Sequence, residues 1–248
     1  MSELEQNVSC QDSPNEQFKA ITELLRSHGS ALDPLDALRL LMLFTLRYEK
    51  SRPDRVAELR RAVVDAVDGV RESVGLVDSL LAYGGAAVRG SDLFGAGGGV
   101  LSKLSSQVRR GLSGVSNVFT QHEPHLVGLL DQLARGKLTK AAFPYVGAEP
   151  PGAKFSTVVV FIVGGVTFEE AAKVAAINSG ALQLGGGPGG GVVGVPPPAA
   201  ASAPPPFRVV LGGTTVLNSK AFLAELKRLH DGGVAVDVGG GTGMGGGH

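Results

Sequence analysis

The chain of 248 residues carries 23 basic and 23 acidic side chains, so its formal net charge is zero. This balance gives no overall attraction to nucleic acid or anionic lipid, and we expect no nucleic-acid partner. The single cysteine, Cys10, cannot form an internal disulfide and favours a reducing, cytoplasmic setting. The longest apolar run, residues 158–166, is about half of the roughly 20 residues that a membrane-spanning helix needs. We therefore expect a cytoplasmic protein without an integral membrane segment.

The first half of the chain has the apolar spacing of packed helices. Residues 16–27 place their apolar side chains on one helical stripe. Asp33 is a suitable N-cap, and Pro34 suits the first position of a second helix. That helix is apolar almost all round, which predicts a place inside a bundle. A third, amphipathic helix is predicted from Pro53.

Two further helices extend this part of the chain. The segment 70–83 is predicted to be helical and to end at the glycine pair that follows it. Another helix is expected to start at Pro124 and to end at Gly136. We interpret residues 1–15 as an N-terminal lead-in and residues 16–150 as a helical subdomain.

The pattern then changes to strands followed by helices. Residues 154–163 are a β-branched run typical of a strand that is buried on both faces. Gly164 and Gly165 supply the turn after this strand. Thr167 and Glu170 have the spacing of a capping box at the start of the next helix.

A second copy of this pattern occupies residues 207–229. It has an apolar strand, Gly212 and Gly213 as the turn, then Thr214 and another helix. Strand, helix and strand in this order predict a right-handed crossover and two adjacent parallel strands.

The two copies are separated by residues 185–206, which are rich in glycine and then in proline and alanine. This stretch has no apolar periodicity, so we expect a disordered insertion, and the glycine-rich tail 233–248 is expected to be disordered too. Residues 151–232 are therefore interpreted as one α/β segment that carries an insertion. A parallel sheet normally has more than two strands, so we expect the missing strands to come from sequence outside this chain or from another chain.

The glycine pairs are candidates for phosphate binding, because helix N-termini attract anions. Neither pair has the P-loop pattern or the Gly-x-Gly-x-x-Gly fingerprint of dinucleotide sites. Paired glycines also allow a sharp turn between a strand and a helix, and we prefer this structural interpretation. An α/β enzyme fragment that binds a nucleotide or phosphate at the Gly-Gly turns is the alternative.

Other candidate groups do not form a catalytic or metal-binding pattern. His122 and His125 are close in sequence, but no cysteine or His-Glu cluster completes a metal site. Ser91 lacks the Gly-x-Ser-x-Gly context of a hydrolase nucleophile. Five basic residues are interpreted as solvated surface, with contact to protein or to a membrane surface as the alternative. These are Lys103, Arg109, Arg110, Lys137 and Lys140. We predict no catalytic residue, no cofactor and no metal ligand.

Six segments, taken together, have a distinctive order and spacing. They are LDALRLLMLFTLRYEK (35–50), LLAYGGAAVRGSDLF (80–94), GVSNVFTQHEPHL (114–126), FPYVG (143–147), VVVFIVGGVTFEEA (158–171) and RVVLGGTTVLNSKAFL (208–223). Their combination resembles the C-terminal region of the SM (Sec/Munc) family of syntaxin-binding regulators of SNARE-driven membrane fusion, in particular its trans-Golgi, endosomal and vacuolar branch. The likeness covers most of residues 3–230.

This resemblance implies a mixed α and α/β fold, in which a helical subdomain is followed by the C-terminal part of a split parallel-sheet α/β domain. The chain would then be an incomplete SM-protein arch. Ten positions match the family's motifs and are interpreted as structural. They are Arg89, Gly90, Ser91, Asp92, Gly164, Gly165, Thr167, Gly212, Gly213 and Thr214. No SNARE-contact residue is assigned.

The resemblance also implies a function without enzymatic activity. The expected partners are a syntaxin-type Q-SNARE and the assembled SNARE complex, bound during vesicle docking and fusion. Association with Golgi and endosome membranes would be peripheral and would occur through these partners. A plain adaptor whose helices bind other trafficking factors is a third possibility.

Overall fold

The computed structural model describes residues 1–11, 13–88, 122–147, 155–184 and 205–232. The helices and strands of these residues follow one another along the chain. They are α1 (Ser2–Cys10), α2 (Pro14–His28), a short 3-10 helix (Gly29–Ala31), α3 (Pro34–Tyr48), α4 (Pro53–Ala66), α5 (Leu76–Val88), α6 (His125–Ala134), β1 (Thr157–Ile162), β2 (Val166–Thr167), α7 (Phe168–Asn178), β3 (Arg208–Gly213), β4 (Val216–Leu217) and α8 (Ser219–Asp231). They belong to two compact units, one with α1 to α5 and α8, the other with α6, α7 and the strands.

Helix α3 is the central element of the helical unit. The Asp33 side chain accepts a hydrogen bond from the Leu35 amide (2.8 Å), and Pro34 occupies the first turn, as the sequence predicts. The helix buries side chains on most of its circumference, as expected for a helix inside a bundle. Phe44 and Tyr48 are fully buried, with ring centroids 4.8 Å apart. This arrangement gives the unit a continuous apolar core.

The lead-in 1–15 is more structured than its sequence predicts, because it contains α1 and the start of α2. Val8 is fully buried in the helical core. The Tyr48 hydroxyl donates to the Gln11 carbonyl (2.7 Å), and Arg39 pairs with Glu5. A mostly polar helix with one buried side chain has little apolar periodicity, which explains why the sequence pattern does not reveal it.

The fourth helix begins later than predicted. Residues 71–75 form turns, and α5 starts at Leu76 rather than near residue 70. Gly85 has a φ of +67° and interrupts the regular helix, at the glycine pair where the sequence predicts its end. Arg60 of α4 forms an ion pair with Asp78 of α5 (2.6 Å), which joins the two helices on the surface of the unit.

Helix α8 packs in the helical unit, although the sequence placed it in the α/β segment. Leu223 and Leu226 are buried in the same core as α3. Phe222 also contacts Tyr83 edge-on, with centroids 5.8 Å apart. An amphipathic stripe shows that one face of a helix is covered but does not identify the covering element.

The second unit contains two pairs of parallel strands. β1 and β3 pair in register from Thr157–Arg208 to Ile162–Gly213, which confirms the predicted parallel neighbours. The short strands β2 and β4 form a second parallel pair that the sequence pattern does not predict. Side chains of α6, α7 and one face of β1 and β3 form the core of this unit.

Candidate functional site

The two glycine-containing connections lie side by side and are joined by hydrogen bonds. The Gly164 amide donates to Thr214 Oγ1 (3.0 Å), and the Thr214 amide donates to the Ile162 carbonyl (3.2 Å). The Val166 amide donates to the Thr215 carbonyl (2.9 Å). Motif positions from both copies of the pattern therefore form one connected structure.

The first glycine pair makes the turn after β1. Gly164 and Gly165 have φ values of +110° and +114°, a region that side chains other than glycine rarely adopt. A Cβ atom on Gly165 would also lie 2.8 Å from side-chain atoms of Leu217 and Thr215. Both the backbone conformation and the close packing therefore require glycine here.

The second glycine pair does not form the predicted turn. Gly212 and Gly213 are the last residues of β3 and pair with Phe161 and Ile162 of β1. A Cβ on Gly213 would lie 2.8 Å from Val166 Cγ1 and 3.2 Å from the Ile162 carbonyl oxygen. Glycine is needed at this position for the close approach of β2, not for a turn.

The first connection has its amides occupied by the protein itself. Besides the bonds of Gly164 and Val166, the Gly165 amide donates to the Ile162 carbonyl (3.4 Å). The Thr167 amide donates to Glu170 Oε2 (2.7 Å) within a complete capping box. The Glu170 carboxylate thus occupies the position that an anion would take at the start of α7, and its charge disfavours phosphate there. This geometry argues against a nucleotide or phosphate at the first turn.

The sheet formed by β1 and β3 has one covered and one exposed face. Val158 and Val160 of β1, with Val209 of β3, pack against α6 and α7. On the opposite face Val159 is 71% exposed and Phe161 is 63% exposed. The prediction of a strand buried on both faces is therefore wrong for the described residues, because helices cover only one side of the sheet.

The outer edge of β3 is blocked by a side chain from α7. Asn178 Nδ2 donates to the Val209 carbonyl, and the Val209 amide donates to Asn178 Oδ1, both at 2.8 Å. Val209 thus turns its backbone groups away from β1, and the amide side chain satisfies both of them as a neighbouring strand would. The sequence pattern does not reveal this role of Asn178, since a single asparagine at a helix end gives no distinct signal.

The edge of β1 opposite β3 has no strand partner among the described residues. The Ser156 and Ile162 carbonyls accept bonds from β3 and its connection. Backbone groups alternate in direction along a strand, so those of Val159 and Phe161 point to the other side. The exposed face and this edge meet along β1, and together we call them the open side of the sheet.

The predicted histidine pair separates in the structure. His122 Nδ1 lies 3.4 Å from Glu169 Oε2, and this hydrogen bond is the main cause that lowers the pKa of Glu169. His125 is exposed at the first position of α6. Burial raises the pKa of Glu123, whose Oε1 is buried without a hydrogen-bond partner in the structure. Among the described residues, no three His, Cys, Asp or Glu side chains are grouped to hold a metal ion.

Several predicted positions lie outside the described residues. They are Arg89, Gly90, Ser91, Asp92, Lys103, Arg109 and Arg110. Lys137 and Lys140 are both exposed. The described helices are too short or too polar to cross a bilayer.

The comparison with protein families gives a class that agrees with this architecture. The model of the Sec1 family matches residues 1–225. The match covers most of the chain, which therefore belongs to the Sec1 family.

The particular relatives are vacuolar sorting proteins. The vacuolar protein sorting-associated protein 45 homolog of Arabidopsis thaliana is 35% identical over 230 residues, 92% of this chain and 35% of that protein. The Homo sapiens protein 45 is 36% identical over 231 residues, 91% of this chain and 35% of that protein. A solved structure of the SM protein Vps45 in complex with the Qa SNARE Tlg2 has a TM-score of 0.65 at 33% identity, covering 99% of this chain and 38% of that one. The chain thus spans about a third of the length of these relatives.

Proposed function

We propose that this chain is the C-terminal portion of an SM-type regulator of SNARE-mediated vesicle docking and fusion. Its transport route is the trans-Golgi, endosomal and vacuolar one. The supporting observation is the likeness to Vps45 bound to a Qa SNARE, at 33% identity across nearly the whole chain. The intact protein acts in the cytoplasm, binds a syntaxin-type Q-SNARE and the assembled SNARE complex, and reaches Golgi and endosome membranes through them.

The proposed mechanism is binding without catalysis. A protein that holds SNARE helices against a preformed surface lowers the entropy cost of ordering them, which favours assembly. The described residues support this proposal because the first glycine turn uses its amides internally and has Glu170 at the helix start. No cofactor is proposed.

We further propose that residues 151–232 are the returning half of a split α/β domain, and that residues 16–150 end the helical domain inserted between its halves. Two helices cross this division in their packing, because α6 packs in the α/β unit and α8 packs in the helical unit. The exposed Val159 and Phe161 side chains support this assignment, because an apolar sheet face normally packs against another layer. In the intact protein this face is covered by the part of the relatives that the chain does not span.

The open side also determines where further strands join. The Asn178 side chain already hydrogen-bonds the backbone groups of Val209 at the outer edge of β3. A new strand can therefore form backbone hydrogen bonds more readily at the outer edge of β1. Amide hydrogen exchange tests this assignment. We expect the Val159 and Phe161 amides to exchange quickly in the 248-residue chain and slowly in the intact protein, while the Val209 amide is protected in both. Fast exchange at Val159 in the intact protein would contradict strand addition at β1.

A binding experiment tests the SNARE assignment. The intact protein is mixed with the immobilised cytosolic part of a trans-Golgi syntaxin and, as a control, with that of a plasma-membrane syntaxin. We expect preferential retention by the trans-Golgi syntaxin. The 248-residue chain alone is expected to bind weakly or not at all, because it contains about a third of the related proteins. If the intact protein retains no Q-SNARE, the functional proposal fails.

A further inference from the structure

We draw no further inference here: the strongest candidate, the apolar surface patch of Phe143, Tyr145 and Val146 in the segment after α6, carries none because nothing in the structure shows what covers these exposed side chains.

Discussion

The two units of this protein differ in how completely they bury their apolar residues. In the helical unit, Phe44 and Leu38 of α3 are fully buried, and Leu226 of α8 enters the same core from far along the sequence. Among the described residues of the α/β unit, helices cover one side of the sheet, and Val159 and Phe161 remain mostly exposed. One unit closes its core with its own helices, whereas the other keeps an apolar layer open.

This difference shows that apolar content alone does not define a complete domain. Both units contain strongly apolar segments, but an α-helix satisfies its backbone internally and needs cover only for its side chains. A two-stranded parallel sheet leaves one edge of each strand unpaired and two faces to cover. The described α/β unit meets these needs partly, with Asn178 at one edge and α7 on one face.

The largest effect is expected from removing a phenylalanine of the helical core. Phe44→Ala leaves a cavity among fully buried neighbours and should lower the free energy of unfolding by about 3–5 kcal/mol. Phe161→Ala removes the same side chain from the open side, where it is 63% exposed, and should cost less than about 1 kcal/mol. Urea denaturation followed by far-UV circular dichroism measures both. Equal losses would mean that the open side is covered in solution.

A smaller loss of the free energy of unfolding is expected from a substitution where the two glycine connections meet. Gly213→Ala places a Cβ 2.8 Å from Val166 Cγ1 and 3.1 Å from the Val166 amide nitrogen. Overpacking of this kind costs about 1–3 kcal/mol. Gly136→Ala is the matched control, because Gly136 has a φ of +62° but open space around its Cβ position. It should cost only about 1 kcal/mol, from backbone strain. A similar loss in both variants would show that close packing at Gly213 is unimportant.

The hydrogen bonds of Asn178 to the edge of β3 should contribute somewhat less to the free energy of unfolding than the packing at Gly213. Asn178→Ala removes two hydrogen bonds to Val209 but leaves a strand edge that water can reach, so the expected loss is about 1–2 kcal/mol. Amide exchange at Val209 should become faster, while exchange in α3 stays unchanged. Ser179→Ala is the control, since the exposed Ser179 hydroxyl bonds only locally, to Ala176. Unchanged exchange at Val209 would contradict the role of Asn178.

The sequence predicts the local structure of both units well. Asp33 and Pro34 mark the start of α3, and Thr167 with Glu170 marks the start of α7, because caps depend on neighbours along the chain. The parallel pairing of β1 with β3 follows from the strand, helix and strand order. Such features are local or follow from general chain topology, so one sequence suffices to derive them.

Features that depend on distant contacts could not be derived in this way. The two glycine pairs look alike in sequence, yet Gly165 lies in a turn and Gly213 lies within a strand against Val166. The stripe on α8 does not show that Leu226 packs in the helical core. Asn178 acts through a backbone 31 residues away. In each case the decisive neighbour is set by packing, which sequence periodicity does not contain.

The smallest effect expected concerns two glutamates of the α/β unit with opposite pKa shifts. The hydrogen bond from His122 lowers the pKa of Glu169 below its ordinary 4.5, so its stabilising contribution is present above about pH 4.5 and is lost as the pH falls through the folded-state pKa. Burial, with smaller contributions from Glu169 and Asp131, raises the pKa of Glu123 against the opposing charges of Lys173 and His122. The stabilising contribution of Glu123 is therefore present at acid pH and is lost as the pH rises through the raised pKa.

The variants Glu123→Gln and Glu169→Gln should consequently shift the midpoint of urea denaturation in opposite directions. Near neutral pH, Glu123→Gln should raise the urea midpoint, since it removes a half-buried charge whose Oε1 has no hydrogen-bond partner in the structure. Glu169→Gln should lower it, since it removes the charged acceptor of His122. Solvent screening keeps each change below about 1 kcal/mol. Below about pH 4 both differences should shrink, because the carboxyl groups of the unaltered chain become protonated. Shifts of the same sign near neutral pH would show that burial does not dominate at Glu123.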